Sequence, residues 1–324
     1  MGTRFPRSAV MFRIPSVLCP VDFSDPSRSA LRYASAVADH FGARLTILTV
    51  ADPLLAEVSR ETGRVPSLEE ETTEELQRFC ADILTPAVAP KTVEYTVAVG
   101  KPATEILRVA SELKTDLIVI SSHGRSGLRH LFFGSTTERV LRETPVPVLV
   151  TPEVGKPAAS LSEIARHIHR IVAPVDLTGA SSRQVSIAAG IAEALSVPLI
   201  LTHVLEPVFV PYGVRLAIPG AEAARRELTD EQLSAVAASV RPGISTESQV
   251  LVGEPSEEIA RLADVRGANL IVIGLHSSGL LGPRMGSVTY RVLCLTHALV
   301  LAIPPQPAAS GGSATRTIST HAVV

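Results

Sequence analysis

A chain of 324 residues has room for about two domains, and with 46% hydrophobic against 19% charged residues each can bury an ordinary core. A formal net charge of −2 and the absence of Trp argue against broad nucleic-acid binding. The mean hydropathy is positive at +0.29, but no uncharged apolar run reaches the ~18 residues a membrane-spanning helix needs.

The apolar stretches are short and bounded by Pro, Gly, Asp or His, which suits strands of a fully covered parallel sheet. Residues 1–15 carry Arg4, Arg7 and Arg13 around an apolar patch too short for a signal-peptide core, and read as an N-terminal extension. Cys19, Cys80 and Cys294 lie far apart without metal-ligand spacing, as reduced thiols of a cytoplasmic protein would.

Residues 16–22 form an apolar run that stops at Asp22, a predicted strand. Ser24-Asp25-Pro26-Ser27 is turn and cap chemistry. Residues 27–41 place Ala30, Leu31, Ala34, Val37, Ala38 and Phe41 at a helical period, and Gly42 stops them. A second strand covers 44–50, and 52–66 reads as a long polar connection. Ser67 opens a second helix, to about 84, with Glu70 completing a capping box. Residues 92–99 alternate as a strand ending at Gly100, and Pro102 starts a helix to about 113. Residues 116–120 are a fourth strand, the helix after Gly134 ends near 143, and 146–150 form a fifth strand. This alternation means an α/β fold, a parallel sheet with helices on both faces and right-handed crossovers. Periodicity does not give the order of the strands.

After a linker at 152–168 the pattern restarts. Ala173-Pro174-Val175-Asp176 repeats Cys19-Pro20-Val21-Asp22, and residues 181–195 and 198–204 repeat the first helix and second strand. Val252-Gly253-Glu254-Pro255 repeats Val99-Gly100-Lys101-Pro102, and Gly286-Ser287-Val288 repeats Gly134-Ser135-Thr136. The offset is 154 at Asp22/Asp176 and 152 at Gly134/Gly286. Landmarks in one order at a nearly constant offset signal a duplication. The expected domains are 16–151 and 169–304, and the Pro-, Ser- and Gly-rich tail 305–324 reads as disordered.

The loop 121–136 joins the fourth strand to a helix. It carries Arg125, Arg129 and His130, and no acidic residue occurs between Asp116 and Glu138. Strand, flexible loop and helix N-terminus together present N–H groups to an anion such as phosphate. A doubly wound sheet binds ligands beyond the carboxyl ends of its strands. Asp22, Val50, Gly100 and this loop can therefore line one crevice. Asp22 is set to accept from ribose hydroxyls or to act as a turn acid. Gly124 and Gly134 allow close backbone approach or simply serve the loop. Ser135 donates to a phosphate or caps its helix. His123, with no carboxylate partner or nucleophile motif in view, reads as a packed structural histidine. Arg125 and Arg129 reach phosphate or stay solvated. Walker-type, dinucleotide-binding and hydrolase-elbow motifs are absent. His167 and His169 lack a third ligand, so no metal site is read.

These residues resemble the universal stress protein family in a tandem, two-domain form. Ser121-x2-Gly124-x9-Gly134-Ser135 keeps the spacing of the Gly-x2-Gly-x9-Gly-Ser/Thr motif of its ATP-binding members, with Ser121 for the first Gly. Pro20-Val21-Asp22 matches the family's Pro-x-Asp, and Val50 its adenine-contacting position. The resemblance covers roughly 16–150 and 170–303. It implies two tandem doubly wound, Rossmann-like (adenine nucleotide alpha hydrolase-like) domains of five parallel strands each, order 3-2-1-4-5. It implies ATP, or AMP or ADP, with Mg²⁺ bridging the phosphates. Asp22 would hold the ribose, Val50 the adenine edge, and Gly124, Gly134, Ser135 and Thr136 the phosphates.

The second copy keeps Asp176, Val204, Gly274, Gly286, Ser287 and Val288 as a weaker set. It is one residue shorter between His276 and Gly279 than the first copy between His123 and Gly127, which removes the Gly124-Arg125 step. The expectation is a stress-response regulatory protein with nucleotide held mainly in the first domain. The second domain would be a degenerate intramolecular partner, paired through the fifth strands, with a homodimer as a further form. A slow ATPase or phosphotransferase at the same site is the alternative, opposed by the lack of a carboxylate base in the loop. A scaffold that binds no nucleotide is the third reading.

Overall fold

The computed structural model describes residues 13–62, 67–84, 90–124, 134–152, 168–179, 181–207, 220–275 and 286–305. Most of the N-terminal extension and linker, and nearly all of the tail, lie outside them. So do Arg125, Arg129, His130, His167 and the shortened stretch at His276 to Gly279.

The short apolar runs become strands: β1 (Ser16–Pro20), β2 (Arg44–Ala51), β3 (Thr92–Val99), β4 (Leu117–Ser121) and β5 (Val148–Thr151). The second half repeats them as β6 (Ile171–Pro174), β7 (Leu199–Leu205), β8 (Thr246–Val252), β9 (Leu270–Gly274) and β10 (Leu299–Ile303). Between them run α1 (Asp25–Phe41), α2 (Pro53–Glu61), α3 (Leu68–Ala81), α4 (Pro102–Glu112) and α5 (Ser135–Glu143). The second half has α6 (Ser181–Leu195), α7 (Ala221–Ser239), α8 (Pro255–Val265) and α9 (Ser287–Leu295).

The strand order is β3-β2-β1-β4-β5-β10-β9-β6-β7-β8, so each half has the order 3-2-1-4-5. Pairing within each half is parallel. Among the described residues the one antiparallel ladder joins β5 to β10, with Val150 opposite Val300 and Leu149 opposite Leu301. Successive strand residues face opposite sides of a sheet, and β1 feeds both layers. Val17 and Cys19 pack with Ala30, Leu31, Leu76 and Phe79 from α1 and α3. Leu18 packs with Ile106 and Val140 from α4 and α5. Each layer continues into the second half. Among the described residues no helix is long and apolar enough to cross a membrane.

Element ends follow local chemistry. Ser24 caps α1 by accepting from the Ser27 N–H, which starts that helix at Asp25 rather than Ser27, and Gly42 closes it at φ 62°. Ser67 and Glu70 form the reciprocal capping box of α3, which ends at Ala81, short of 84. β5 starts at Val148 rather than 146, because Pro147 has no N–H and Thr144 Oγ1 holds a turn by donating to the Val146 carbonyl at 2.8 Å. Residues 52–66 are not a plain connection. α2 forms there, with the Leu54 N–H donating to Asp52 Oδ1 at 2.8 Å and Pro53 at the first helical position.

Candidate nucleotide crevice

β1 to β4 are neighbours and parallel, so their carboxyl ends share one rim. Val21 follows β1, and its N–H donates to the Leu48 carbonyl of β2 at 2.8 Å. Val50 stands two residues further along β2. β1 and β4 pair only at Val17/Leu117 and Leu18/Ile118, and beyond that point the crevice begins at the change of strand order.

Asp22 lies on this rim, half-buried. Its Oδ1 accepts the Ser24 N–H at 3.2 Å and the Ser24 hydroxyl at 2.5 Å, while its own N–H donates to Ser27 Oγ at 3.4 Å. The next residue, Phe23, has φ 64°, a left-handed conformation that costs a side-chain-bearing residue about 1–2 kcal/mol. Phe79 of α3 meets the Phe23 ring edge-to-face at 5.5 Å, and the Arg28 guanidinium covers the Phe79 ring at 4.4 Å. An aromatic contact thus fixes the turn that aims Asp22.

Gly124 comes from the other side of the crevice. A Cβ there would sit 2.6 Å from Asp22 Oδ2, so any side chain at 124 would have to displace this carboxylate. The loop is tied down on the Gly134 side as well. The Gly134 N–H donates to the Ser122 carbonyl at 3.0 Å, and Thr137 Oγ1 donates to the Ser121 carbonyl at 2.8 Å. The start of α5 is therefore held beside the end of β4. No side chain caps α5 at Gly134, and Ser135 is exposed at its first position. N–H groups of a helix's first turn have no partner within the helix, which favours an anion there.

Two candidates have partners of their own within the fold. The Ser121 hydroxyl is buried and donates to the His123 carbonyl at 2.7 Å. Gly100 has φ 156°, and Glu105 Cγ lies 2.9 Å from where a Cβ would be. Gly253 repeats this with Glu258 at 2.8 Å, so the contact belongs to the fold. His123 Nδ1 lies 3.0 Å from Ser122 Oγ, a hydrogen bond within the loop. Ser24, Ser27 and Thr137, which orient Asp22 and anchor the loop, are additions that hydroxyls near a motif acid could have signalled.

The second half repeats the framework with changed details. Thr178 and Ser181 both donate to Asp176 Oδ1, and Leu177 is left-handed at φ 60°. Thr289 donates to the Gly274 carbonyl, as Thr137 does to Ser121. Asp176, however, is exposed. Where Ala30 stands in the first half, buried Gln184 donates to the Pro174 and Val272 carbonyls at 2.6 and 2.9 Å, clamping β6 to β9. His203, preceding Val204, lies with Nδ1 2.8 Å from the Val175 carbonyl. Ser287 and Val288 open α9 after Gly286.

The family model described as "Universal stress protein family" matches residues 14–152 and 167–304. Universal stress protein YxiE of Bacillus subtilis is 36% identical over 142 residues, 41% of this chain and 96% of that protein. Universal stress protein MJ0531 of Methanocaldococcus jannaschii is 31% identical over 150 residues, 43% of this chain and 83% of that one. Two solved structures share the fold along nearly the whole chain at 18% identity. A functionally unknown protein, PA1789 of Pseudomonas aeruginosa PAO1, has a TM-score of 0.64 and covers 92% of this chain and 95% of its own. A universal stress protein from Archaeoglobus fulgidus has a TM-score of 0.59 and covers 91% and 100%.

Proposed function

The chain belongs to the universal stress protein family, and we propose that it is an ATP-binding regulatory protein of two such domains, 16–151 and 169–304, acting in the cytoplasm. The observation that supports this most is the approach of Gly124 to Asp22, with 2.6 Å between a would-be Cβ and Oδ2. The contact sets an acid that can accept from ribose hydroxyls beside a glycine whose backbone a phosphate can approach.

In this reading Asp22 accepts from the ribose, the backbone at Val50 meets the adenine edge, and N–H groups around Gly124, Gly134, Ser135 and Thr136 meet the phosphates. AMP or ADP would use the same ribose and adenine positions. Mg²⁺ would supply positive charge that neutralises the phosphates. The exposed Ser135 hydroxyl at the first position of α5 is the side chain that would stand beside it. The second domain keeps the framework and serves as an intramolecular partner across β5 and β10, with a homodimer of chains as a further form.

Calorimetric titration with ATP and Mg²⁺ tests this. Saturable heat that is lost in Asp22→Ala is expected. No heat at high protein concentration, or heat unchanged in that variant, contradicts the reading.

A further inference from the structure

Three side chains close a ring of contacts behind Asp22. Phe23 follows the acid, and its ring meets Phe79 of α3 edge-to-face at 5.5 Å. The Arg28 guanidinium lies over the Phe79 ring at 4.4 Å, and its Nη1 donates to the Phe79 carbonyl at 3.4 Å. Arg28 stands in the first turn of α1, with its own N–H donating to the Ser24 carbonyl at 3.0 Å, and Ser24 holds Asp22 Oδ1. The Asp82 carboxylate lies 3.8 Å from Arg28 but is largely exposed, so that pair adds little. The contacts therefore run from α3 to Asp22 by two routes, through Phe23 and through Arg28 and Ser24.

The second half shows that the fold does not need this ring. At the offset of 154, Leu177 and Ser182 stand in place of Phe23 and Arg28. Buried Leu76 and Cys80 of α3 correspond to buried Thr229 and Leu233 of α7, an offset of 153, which puts exposed Gln232 in the place of Phe79. Leu177 keeps the left-handed turn at φ 60°, and Thr178 and Ser181 still donate to Asp176 Oδ1. Turn and hydroxyls are common to both halves, whereas the paired aromatic rings and their cation belong to the first. Asp22 is half-buried and Asp176 is exposed. The half with the stack is the half whose acid stands close against Gly124.

We propose that Phe23, Phe79 and Arg28 are positioning residues for the nucleotide: they hold the turn so that Asp22 is already oriented when the ribose hydroxyls arrive. This rests on the reading of the first crevice as a nucleotide site. A carboxylate fixed before binding loses less conformational freedom when the ligand comes. An edge-to-face ring pair and a guanidinium over a ring are each strong enough to change an affinity several-fold. α3 thus acts, through Phe79, on a ligand bound beyond the carboxyl ends of β1 and β4.

The test titrates ATP with Mg²⁺ into full-chain variants by calorimetry. Phe23→Leu and Phe79→Leu should each weaken ATP about fivefold. The double variant should lose no more than either single one, because both remove the same contact. Phe23→Leu copies the residue that the same turn carries in the second half, so the fold tolerates it. Phe23→Tyr, which keeps the ring, should bind as the parent does, and Arg28→Ser should weaken ATP about threefold. Dideoxy-ATP, without ribose hydroxyls, should bind the parent more weakly than ATP does and lose nothing further in Phe23→Leu. Four results overturn the proposal while nucleotide binding itself stands: parent affinity in both leucine variants, losses that add in the double variant, Phe23→Tyr as weak as Phe23→Leu, or equal losses for ATP and dideoxy-ATP. No ATP binding by the parent overturns the nucleotide reading and the proposal together.

Discussion

Gly124 and Asp22 are 102 positions apart in the sequence and meet across the crevice with no room for a methyl group. Gly124→Ala must push the Asp22 carboxylate aside. Because Oδ1 is tied to Ser24, the carboxylate has little freedom to yield. ATP affinity should fall about tenfold or more in Gly124→Ala, a loss within the range of a hydrogen bond to a charged group, with little change in melting temperature. Wild-type affinity in that variant would remove Gly124 from the site. The thiols set a second residue-level expectation. Burial pushes Cys19 well above its usual range and Cys80 up to about 12, whereas Cys294 is exposed. Iodoacetamide should label Cys294 first in the native chain, read by mass spectrometry. The raised values also set a pH dependence. Below the unfolded thiol value of about 8.5 both states are protonated and stability is full. As pH rises from there towards 12 the unfolded thiols ionise first, so the melting temperature should fall, and less so in Cys80→Ala measured against its own neutral-pH value.

At the level of elements, the β5–β10 ladder joins the halves. Leu149 and Leu301 face each other there and are 8% and 4% exposed. Leu301→Lys buries an unpaired charge and should destabilise the chain by several kcal/mol, seen as a lower unfolding midpoint in urea. An unchanged midpoint would show that the seam contributes little. Strand and helix alternation can be read from the sequence because covered parallel strands are continuous apolar runs such as 117–120, and Gly42 and Ser67 punctuate them. The order 3-2-1-4-5 rests on family resemblance, since pairing between β1 and β4 is a tertiary contact. α2 escapes a sequence reading because Leu54, Leu55 and Val58 face solvent and look like part of a polar connection. At Gly100 the sequence does not show that Glu105 packs against it.

Across the whole molecule, duplication separates what the fold needs from what a ligand needs. The left-handed residues Phe23 and Leu177, the Gly100/Glu105 and Gly253/Glu258 contacts and the hydroxyls holding Asp22 and Asp176 occur in both halves. Among the described residues a half-buried acid beneath a glycine is seen in the first half, while in the second Asp176 is exposed and Gln184 adds a clamp. The account therefore makes the chain asymmetric. The most direct measurement is the number of nucleotides bound per chain at saturation, by calorimetry with ATP and Mg²⁺, in the parent, Asp22→Ala and Asp176→Ala. One per chain, lost in Asp22→Ala and kept in Asp176→Ala, is the predicted result. Two per chain, none, or a single nucleotide that survives Asp22→Ala would contradict it.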